Sequence, residues 1–162
     1  MRAFVAVGSN LGDRWGFLAA AGRRLRAAPG VAVVRASRVW DAEPVGPAQP
    51  RYLNAVLELE TALRPEALLR TLLDAERAAG RRRGVRWGAR TLDLDLLVHG
   101  GRAVRLPGLE VPHPELARRR FVLAPLAELA PDLAIPGAGG TAASLLARAP
   151  PLDLRVAGAY PR

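Results

Sequence analysis

The 162-residue sequence predicts an α+β fold in which helices pack on a mainly antiparallel sheet. Three observations support this prediction. Short segments alternate apolar and polar residues as half-buried strands do, two longer segments repeat apolar residues at helical spacing, and Gly- or Pro-containing turns separate them. The resulting order, strand–helix–strand–strand–helix–strand, is that of a ferredoxin-like βαββαβ core. A C-terminal extension follows, and no linker or repeat divides the chain, so residues 1–162 are expected to form one domain.

The first strand and helix are bounded by turn residues. Phe4 starts a short apolar strand that ends in a turn-rich stretch. Either Asn10 or Asp13 is expected to cap the helix that follows, which runs to about Arg26. Residues 31–40 alternate in polarity and predict a single second strand.

The second half of the core has the clearest strand pattern in the chain. Residues 52–60 place Leu and Ala on one face and a more polar set on the other, which predicts a half-buried strand. A helix is predicted from Pro65 to Gly80, because Pro suits the first helical turn and leucines form an apolar stripe behind it. Residues 92–98 predict the last core strand, with 102–106 as its hairpin partner. The extension is expected to hold two short helices, at 121–129 and 142–146.

The composition excludes several kinds of site. All 24 basic residues are arginine, so the lysine of a P-loop, of a protein kinase or of a Schiff-base enzyme is missing. The absence of cysteine excludes thiolate metal centres, iron–sulfur clusters and disulfides. The net charge of +9 indicates an anionic partner such as nucleic acid, a phosphate-rich small molecule or a membrane surface. No membrane-spanning segment or signal peptide is expected, so the protein is expected to be cytoplasmic.

The strongest local feature is a pair of aspartates on the last core strand. Asp93 and Asp95 are two residues apart, so both point to one face of the sheet, about 6.5–7 Å apart, while the leucines around them point to the other. Two carboxylates this close repel each other unless a cation lies between them, and their oxygen ligands suit Mg²⁺. The alternative is a half-exposed strand with a solvated polar face.

An arginine-rich segment leads directly into this strand. Residues 81–90 contain five arginines among glycines, together with Trp87. The planar guanidinium group binds phosphate oxygens through two parallel hydrogen bonds. An arginine run is often only a solvated surface patch. Beside paired aspartates, however, it predicts a nucleotide-phosphate and Mg²⁺ site of the phosphoryl-transfer type.

Two further features are open to a structural or a functional interpretation. His113 lies between two prolines, and its imidazole could donate a hydrogen bond to a phosphate oxygen. Tyr52 and Asn54 share one strand face and could stack on a flat heterocycle and bind its edge. A structural histidine and an ordinary polar strand face remain the alternatives.

Taken in order, these motifs resemble a known enzyme family. The residues that carry the resemblance are 8–12, 44–47, 52–55, Glu76, 86–95, 111–114 and 121–126. The chain is similar to 6-hydroxymethyl-7,8-dihydropterin pyrophosphokinase, an ATP-dependent diphosphokinase of folate biosynthesis, from residue 4 to about residue 136. The most specific of the motifs is the RWGxRTLDLD pattern of residues 86–95.

The resemblance implies transfer of pyrophosphate from ATP to the hydroxymethyl group of a reduced pterin, with release of AMP. Asp93 and Asp95 match the family's ligands for two Mg²⁺ ions that bridge the ATP phosphates, and with Arg81 and Arg90 they form the implied catalytic set. The residues that match positions around ATP are Glu76, Arg83, Trp87, Arg90, His113 and Arg119. The residues that match positions around the pterin are Ala42, Glu43, Val45, Tyr52, Asn54 and Phe121.

Several departures from the family pattern affect these assignments, among them Leu73, which stands where some members carry a glutamine near the nucleotide. Ala42 and Glu43 stand where some members carry Thr-Pro, so only backbone contacts to the pterin are expected there. Three successive arginines, at 118–120, leave open which of them meets phosphate, although Arg119 matches the family position.

Two other functions fit parts of the sequence. A basic ferredoxin-like domain could bind nucleic acid, but no predicted strand carries two aromatic residues on one face. Paired aspartates also occur in other two-metal nucleotidyltransferases and in nucleases. The expected partners are ATP and the reduced pterin, with no nucleic acid and no membrane, and the protein is expected to be a monomer.

Overall fold

The computed structural model describes residues 1–80 and 91–162. Within these ranges the strands are β1 (Arg2–Ser9), β2 (Val31–Ala36), β3 (Val39–Ala42), β4 (Tyr52–Thr61), β5 (Asp93–His99), β6 (Val104–Leu106), β7 (Leu109–Val111), β8 (Ala134–Ile135), β9 (Gly140–Thr141) and β10 (Leu154–Gly158). The helices are α1 (Arg14–Ala27), α2 (Pro65–Ala78), α3 (Arg120–Leu129) and α4 (Ala142–Arg148), with a 3₁₀ turn at Leu116–Arg118. None of these helices combines the length and the apolar character needed to cross a membrane.

A six-stranded sheet forms the centre of the fold. Its strand order is β10-β3-β4-β1-β5, and β2 also pairs with β4. Every pairing within it is antiparallel. If β2 and β3 are counted as two parts of one strand, the order is that of the predicted βαββαβ core, with β4 and β1 in the middle. The prediction of an α+β fold with a C-terminal extension is therefore confirmed.

The prediction of one continuous strand over residues 31–40 is wrong, because the chain breaks at Ser37. β2 pairs with the second half of β4, and β3 pairs with its first half. At the break, the Ser37 amide donates to the Val56 carbonyl at 2.9 Å, and the Ser37 hydroxyl accepts from the Val56 amide at 2.9 Å. The hydroxyl thus replaces a strand carbonyl, so the chain bends without leaving a buried amide unpaired.

The predicted hairpin between residues 102–106 and the last core strand is also wrong. β6 pairs with β7 instead, across Pro107 and Gly108. Gly108 has a φ of 76°, and Pro followed by Gly suits the two central positions of a tight turn. At Gly100 and Gly101 the chain turns, and the Gly100 amide donates to the Arg2 carbonyl of β1 at 2.7 Å.

Helices cover both faces of the sheet. α1 and α2 pack on the face that includes Val5 and Leu57. α3 and α4 pack on the opposite face, where Phe4 and Val56 are fully buried. The middle of β4 is therefore buried on the face that carries Val56. The first part of this face, near Asn54, opens into a cavity.

The turn after β1 fixes the loop that follows β3. Asp13, not Asn10, caps α1, because its Oδ1 accepts a hydrogen bond from the Gly16 amide at 3.0 Å. Asn10 is buried, and its Nδ2 donates to the Gln49 side chain and to the Pro50 carbonyl, both at 2.9 Å. The end of β1 thereby holds one side of the 43–51 loop beside the sheet.

Candidate active site

A cavity of about 850 Å³ lies on the α3 side of the sheet and also reaches residues of α2 from the other side. Its lining comes from β1, β4, β5 and α2, the segments after β3 and β7, the start of α3, and residues 150–152. The predicted site residues that line it are Glu43, Val45, Tyr52, Asn54, Glu76, Asp93, Asp95, His113, Arg119 and Phe121. Ala42 is fully buried within β3 and does not belong to the lining. The predicted residues Arg81, Arg83, Trp87 and Arg90 lie outside the described residues.

The floor of the cavity consists of small residues of β1. Gly8 pairs with Asn54 of β4 on one side and with Asp93 of β5 on the other. Ala6, two residues earlier, pairs with Asp95. A Cβ atom at Gly8 would lie only 3.0 Å from Oδ1 of Asn54. Because β1 contributes so little side chain here, the cavity continues across the sheet from the aspartates to Asn54.

One end of the cavity is acidic and is approached by basic groups. Asp93 and Asp95 are both partly buried at the start of β5, on one face as the sequence predicts. A guanidinium nitrogen of Arg119 lies 3.7 Å from Oδ2 of Asp95, and Nε2 of His113 lies 3.9 Å from Oδ1. Both distances exceed a hydrogen bond. This end therefore presents oxygen ligands for a cation close to a fixed positive charge that could receive an anion.

The surroundings of His113 favour the neutral imidazole. Burial lowers its pKa, the positive charge of Arg119 lowers it further, and the carboxylate of Asp93 opposes both effects. Nδ1 accepts a hydrogen bond from the Glu115 amide at 3.1 Å. The proton of the neutral ring therefore belongs on Nε2, the atom that faces Asp95. His113 is thus arranged as a hydrogen-bond donor into the cavity.

Glu76 holds the acidic strand in place from α2. The residue is only 4% exposed, and its Oε2 accepts a hydrogen bond from the Leu94 amide at 2.8 Å. Leu94 lies between the two aspartates, so this bond fixes the backbone that carries them. The resemblance places Glu76 beside ATP, and the structure adds a positioning role that the helical periodicity does not indicate.

The opposite end of the cavity suits a flat polar ring. Asn54 is 6% exposed, and its Nδ2 has no hydrogen-bond partner among the described residues. A buried donor without a partner costs about 1–3 kcal/mol, so this end suits a ligand that brings an acceptor. Tyr52 precedes Asn54 on the same face of β4, and Phe121 faces the cavity from α3. The guanidinium of Arg119 lies 5.8 Å from the centre of the Phe121 ring, so the aromatic end adjoins the charged end.

Comparison with known proteins decides the family. The model of the 7,8-dihydro-6-hydroxymethylpterin-pyrophosphokinase family matches residues 4–131. The chain belongs to this family. A 2-amino-4-hydroxy-6-hydroxymethyldihydropteridine pyrophosphokinase of Pseudomonas aeruginosa is 46% identical over 136 residues, which cover 83% of this chain and 84% of that protein. The Synechocystis protein of the same name is 42% identical over 144 residues, covering 89% and 74%.

Solved structures with little sequence similarity share the fold. Wild-type Plasmodium falciparum HPPK-DHPS matches 91% of this chain with a TM-score of 0.69 and 10% identity. An HPPK-DHPS in complex with substrates matches the same share with a TM-score of 0.70 and 9% identity. This chain spans less than half of those two chains, 44% and 43% of their lengths. At such identities the likeness concerns the fold alone.

Membership of the pyrophosphokinase family decides between the functions that the sequence left open. The chain is a pyrophosphokinase of folate synthesis, as predicted. The alternatives, a nucleic-acid-binding module and another two-metal nucleotidyltransferase, are not favoured.

The three successive arginines of this pyrophosphokinase have different surroundings. Arg119 approaches Asp95, whereas the guanidinium of Arg120 donates to two backbone carbonyls of residues 149 and 150. Arg118 is exposed at the edge of the cavity. The geometry therefore supports Arg119 as the arginine that faces the acidic end.

One wall of the cavity was missed by sequence reasoning. Pro150, Pro151 and Leu152 line it, although they follow the segment that matches the family model. Nothing in their local pattern indicates a site. They reach the cavity because β10, which follows them, pairs with β3 at the edge of the sheet.

Proposed function

We propose that this pyrophosphokinase transfers the pyrophosphoryl group of ATP to the hydroxymethyl group of 6-hydroxymethyl-7,8-dihydropterin within the 850 Å³ cavity, releasing AMP. The observation that carries the proposal is the cavity's two unlike ends. The paired carboxylates of Asp93 and Asp95 lie at one end, and Nδ2 of Asn54, which has no hydrogen-bond partner within residues 1–80 and 91–162, lies at the other. Both acceptor and donor substrates would therefore bind in one enclosure, with the reacting groups between them.

At the acidic end, we propose that two Mg²⁺ ions bind together with the nucleotide. Within the described ranges, no three His, Asp or Glu side chains are grouped to hold a metal ion. Asp93 and Asp95 would thus be the protein's ligands, and phosphate oxygens and water would complete the coordination that Mg²⁺ prefers. Bound Mg²⁺ would neutralise charge on the phosphates and align them.

Two neighbouring side chains would orient the phosphates. The guanidinium of Arg119, 3.7 Å from Asp95, would bind phosphate oxygens through its fork of donors. The Nε2–H group of His113 would donate a hydrogen bond to a phosphate oxygen. This role involves no proton transfer. Glu76 would act indirectly, by fixing the backbone between the aspartates.

At the other end, the pterin would bind by stacking and by its polar edge. Tyr52 and Phe121 would lie on either side of the ring. The Nδ2 donor of Asn54, unpaired among the described residues, would bond to a ring acceptor. Val45 and the backbone of Glu43 would complete this end. The resemblance also assigned Ala42, which is buried behind the lining, so its contribution would be to the strand and not to the ligand.

The remaining assignments rest on the sequence motif. Within residues 81–90, we propose that Arg81 and Arg90 act in catalysis. The residues of this segment that would bind ATP are Arg83, Trp87 and Arg90. We further propose that residues 1–162 form one domain that acts as a monomer in the cytoplasm, with no nucleic acid or membrane as a partner.

Product analysis tests the proposed reaction. ATP, Mg²⁺ and the reduced hydroxymethylpterin are incubated with the protein, and nucleotide and pterin products are separated by chromatography. The proposal expects AMP and a pterin diphosphate in equal amounts, and loss of both when EDTA removes the metal. Release of free pyrophosphate, or formation of ADP, would contradict it.

A further inference from the structure

A short segment between α4 and β10 forms the end wall of the cavity. We call residues 149–153 the strap. Pro150, Pro151 and Leu152 of the strap line the cavity, and the strap lies beyond residue 131, where the match to the family model ends. Its two ends are held by different parts of the protein.

Arg120 holds the first end of the strap. Its Nε donates to the Pro150 carbonyl at 3.1 Å, and a terminal nitrogen donates to the Ala149 carbonyl at 2.7 Å. One planar guanidinium therefore fixes two successive peptide groups. Arg120 is the first residue of α3, directly before Phe121, so the strap is tied to the element that carries the aromatic wall.

Glu43 and Arg51 hold the second end. The Glu43 amide donates to the Asp153 carbonyl at 3.0 Å, and the Asp153 amide donates to the Glu43 carboxylate at 2.9 Å. Arg51 bridges Asp41 at 2.5 Å and the Asp153 carboxylate at 3.0 Å. The carboxylate of Glu43 is thus directed to the strap, while Glu43 still lines the cavity.

The strap lies at the end of the cavity opposite the aspartates. It runs into Leu154, which pairs with Ala42 of β3, and Ala42 in turn pairs with Tyr52 of β4. Asp95 lies on β5, four strand spacings from β10 in the order of the sheet, or about 19 Å. The strap therefore adjoins the Tyr52 end and is remote from Asp95.

Leu152 separates the cavity from a second space. A cleft of about 440 Å³ lies behind the strap, between α3, α4 and β10. The residues that line both the cavity and this cleft are Arg120, Pro151 and Leu152. Shortening Leu152 is expected to widen the Tyr52 end of the cavity toward this cleft.

We propose that the strap is the specificity-determining wall of the pterin subsite, with Leu152 as the side chain that limits its width and Arg120 as the positioning residue that holds it. This inference rests on the proposed function, which places the pterin at the Tyr52 end. A wall at that end affects binding of the pterin and leaves the phosphate end unchanged.

The test compares two arginine variants that each lose a bond to backbone carbonyls. Arg120→Met keeps the apolar stem and releases the first end of the strap. Arg148→Met is the matched control, because Arg148 donates to the carbonyls of Ser144 and Gly139, both at 3.3 Å, outside the cavity. We expect Arg120→Met to raise KM for the pterin about tenfold, with KM for ATP within about twofold and kcat little changed. Arg148→Met should keep the wild-type constants.

Two further variants test whether the rise in KM for the pterin comes from the strap or from another cause. Arg120→Lys keeps the charge but cannot hold both carbonyls as a fork does, so its KM for the pterin should also rise; wild-type values would show that only charge matters and would overturn the proposal. Leu152→Ala should raise KM for the pterin, and its kcat/KM for a pterin that carries an added methyl group should rise relative to that of the wild type. An unchanged KM for the pterin in Arg120→Met and Leu152→Ala, or an equal rise in KM for ATP, would also overturn it.

Calorimetry without ATP keeps this test independent of the reaction. The Kd for the pterin should rise in Arg120→Met by the same factor as KM. If the wild type binds the pterin but forms no AMP, the proposed function fails while the wall is still tested by Kd. If the wild type forms AMP and the Kd does not change in the variant, the wall alone is wrong.

Discussion

Replacing Gly8 by alanine should weaken pterin binding without weakening ATP binding. The new Cβ would lie 3.0 Å from Oδ1 of Asn54, which is closer than a carbon and an oxygen normally approach. Asn54 would have to move by a few tenths of an ångström, and its amide would lose the alignment that a hydrogen bond to the pterin requires. Loss of one such bond in a buried site corresponds to about 1–2 kcal/mol, or about a 5- to 30-fold rise in KM for the pterin.

The assay measures initial rates of AMP formation while each substrate is varied in turn. KM for ATP should stay within about twofold, because the phosphate end is not displaced. Gly101→Ala is the control, since a Cβ at Gly101 meets no atom within 4 Å. The melting temperature of both variants is recorded, because neither glycine has a positive φ, and Gly→Ala at such a position is expected to change stability by less than about 1 kcal/mol. Equal rises in both KM values, or no change in either, would show that a Cβ at Gly8 does not act on pterin binding through Asn54.

Two further variants test the framework around the site. Glu76→Ala removes the acceptor for the Leu94 amide and leaves that amide unpaired in the interior, so the free energy of unfolding in urea should fall by about 2 kcal/mol and kcat should fall as well. Glu58 is buried between Arg35 and Arg2, and the hydrogen bond from Arg35, assisted by Arg2, holds the pKa of Glu58 below its ordinary value. Glu58→Gln should lower the free energy of unfolding by about 2 kcal/mol at pH 7. The pKa of Glu58 is lower in the folded than in the unfolded protein, so this stabilisation is present above about pH 4.3 and is lost as the pH falls through the folded pKa. The free energies of unfolding of the variant and the wild type should therefore converge in acid. A constant difference between them down to pH 2 would contradict the assignment.

The core of the fold could be predicted because its pattern is local. Period-2 alternation in residues 52–60 and helical spacing after Pro65 depend on near neighbours, and both elements appear where the sequence predicts them. The break at Ser37 could not be predicted, since the residues on both sides alternate alike and only the pairing with β4 shows where the strand changes partner. β10 was missed for a related reason: its residues are mostly exposed at the edge of the sheet, so they carry no clear apolar pattern.

Some residues of the candidate site could likewise be predicted from the sequence, and others could not. Asp93 and Asp95 could be predicted to share a face because they lie two residues apart on one strand, and the structure places both in the cavity. Tyr52 and Asn54 line the cavity, because α3 covers the neighbouring part of β4. The strap could not be predicted, since its contacts join residues about a hundred positions apart, such as Glu43 and Asp153.

We propose that Asp93 and Asp95 bind the metal that serves pyrophosphoryl transfer. The most direct measurement is the rate of AMP formation by Asp95→Ala at saturating ATP, Mg²⁺ and pterin. Asp132→Ala, which removes an exposed aspartate of the extension, is the control. We expect kcat to fall at least about 100-fold in Asp95→Ala with an unchanged melting temperature, and to stay at the wild-type value in the control. A folded Asp95→Ala enzyme that forms AMP at the wild-type rate would contradict it.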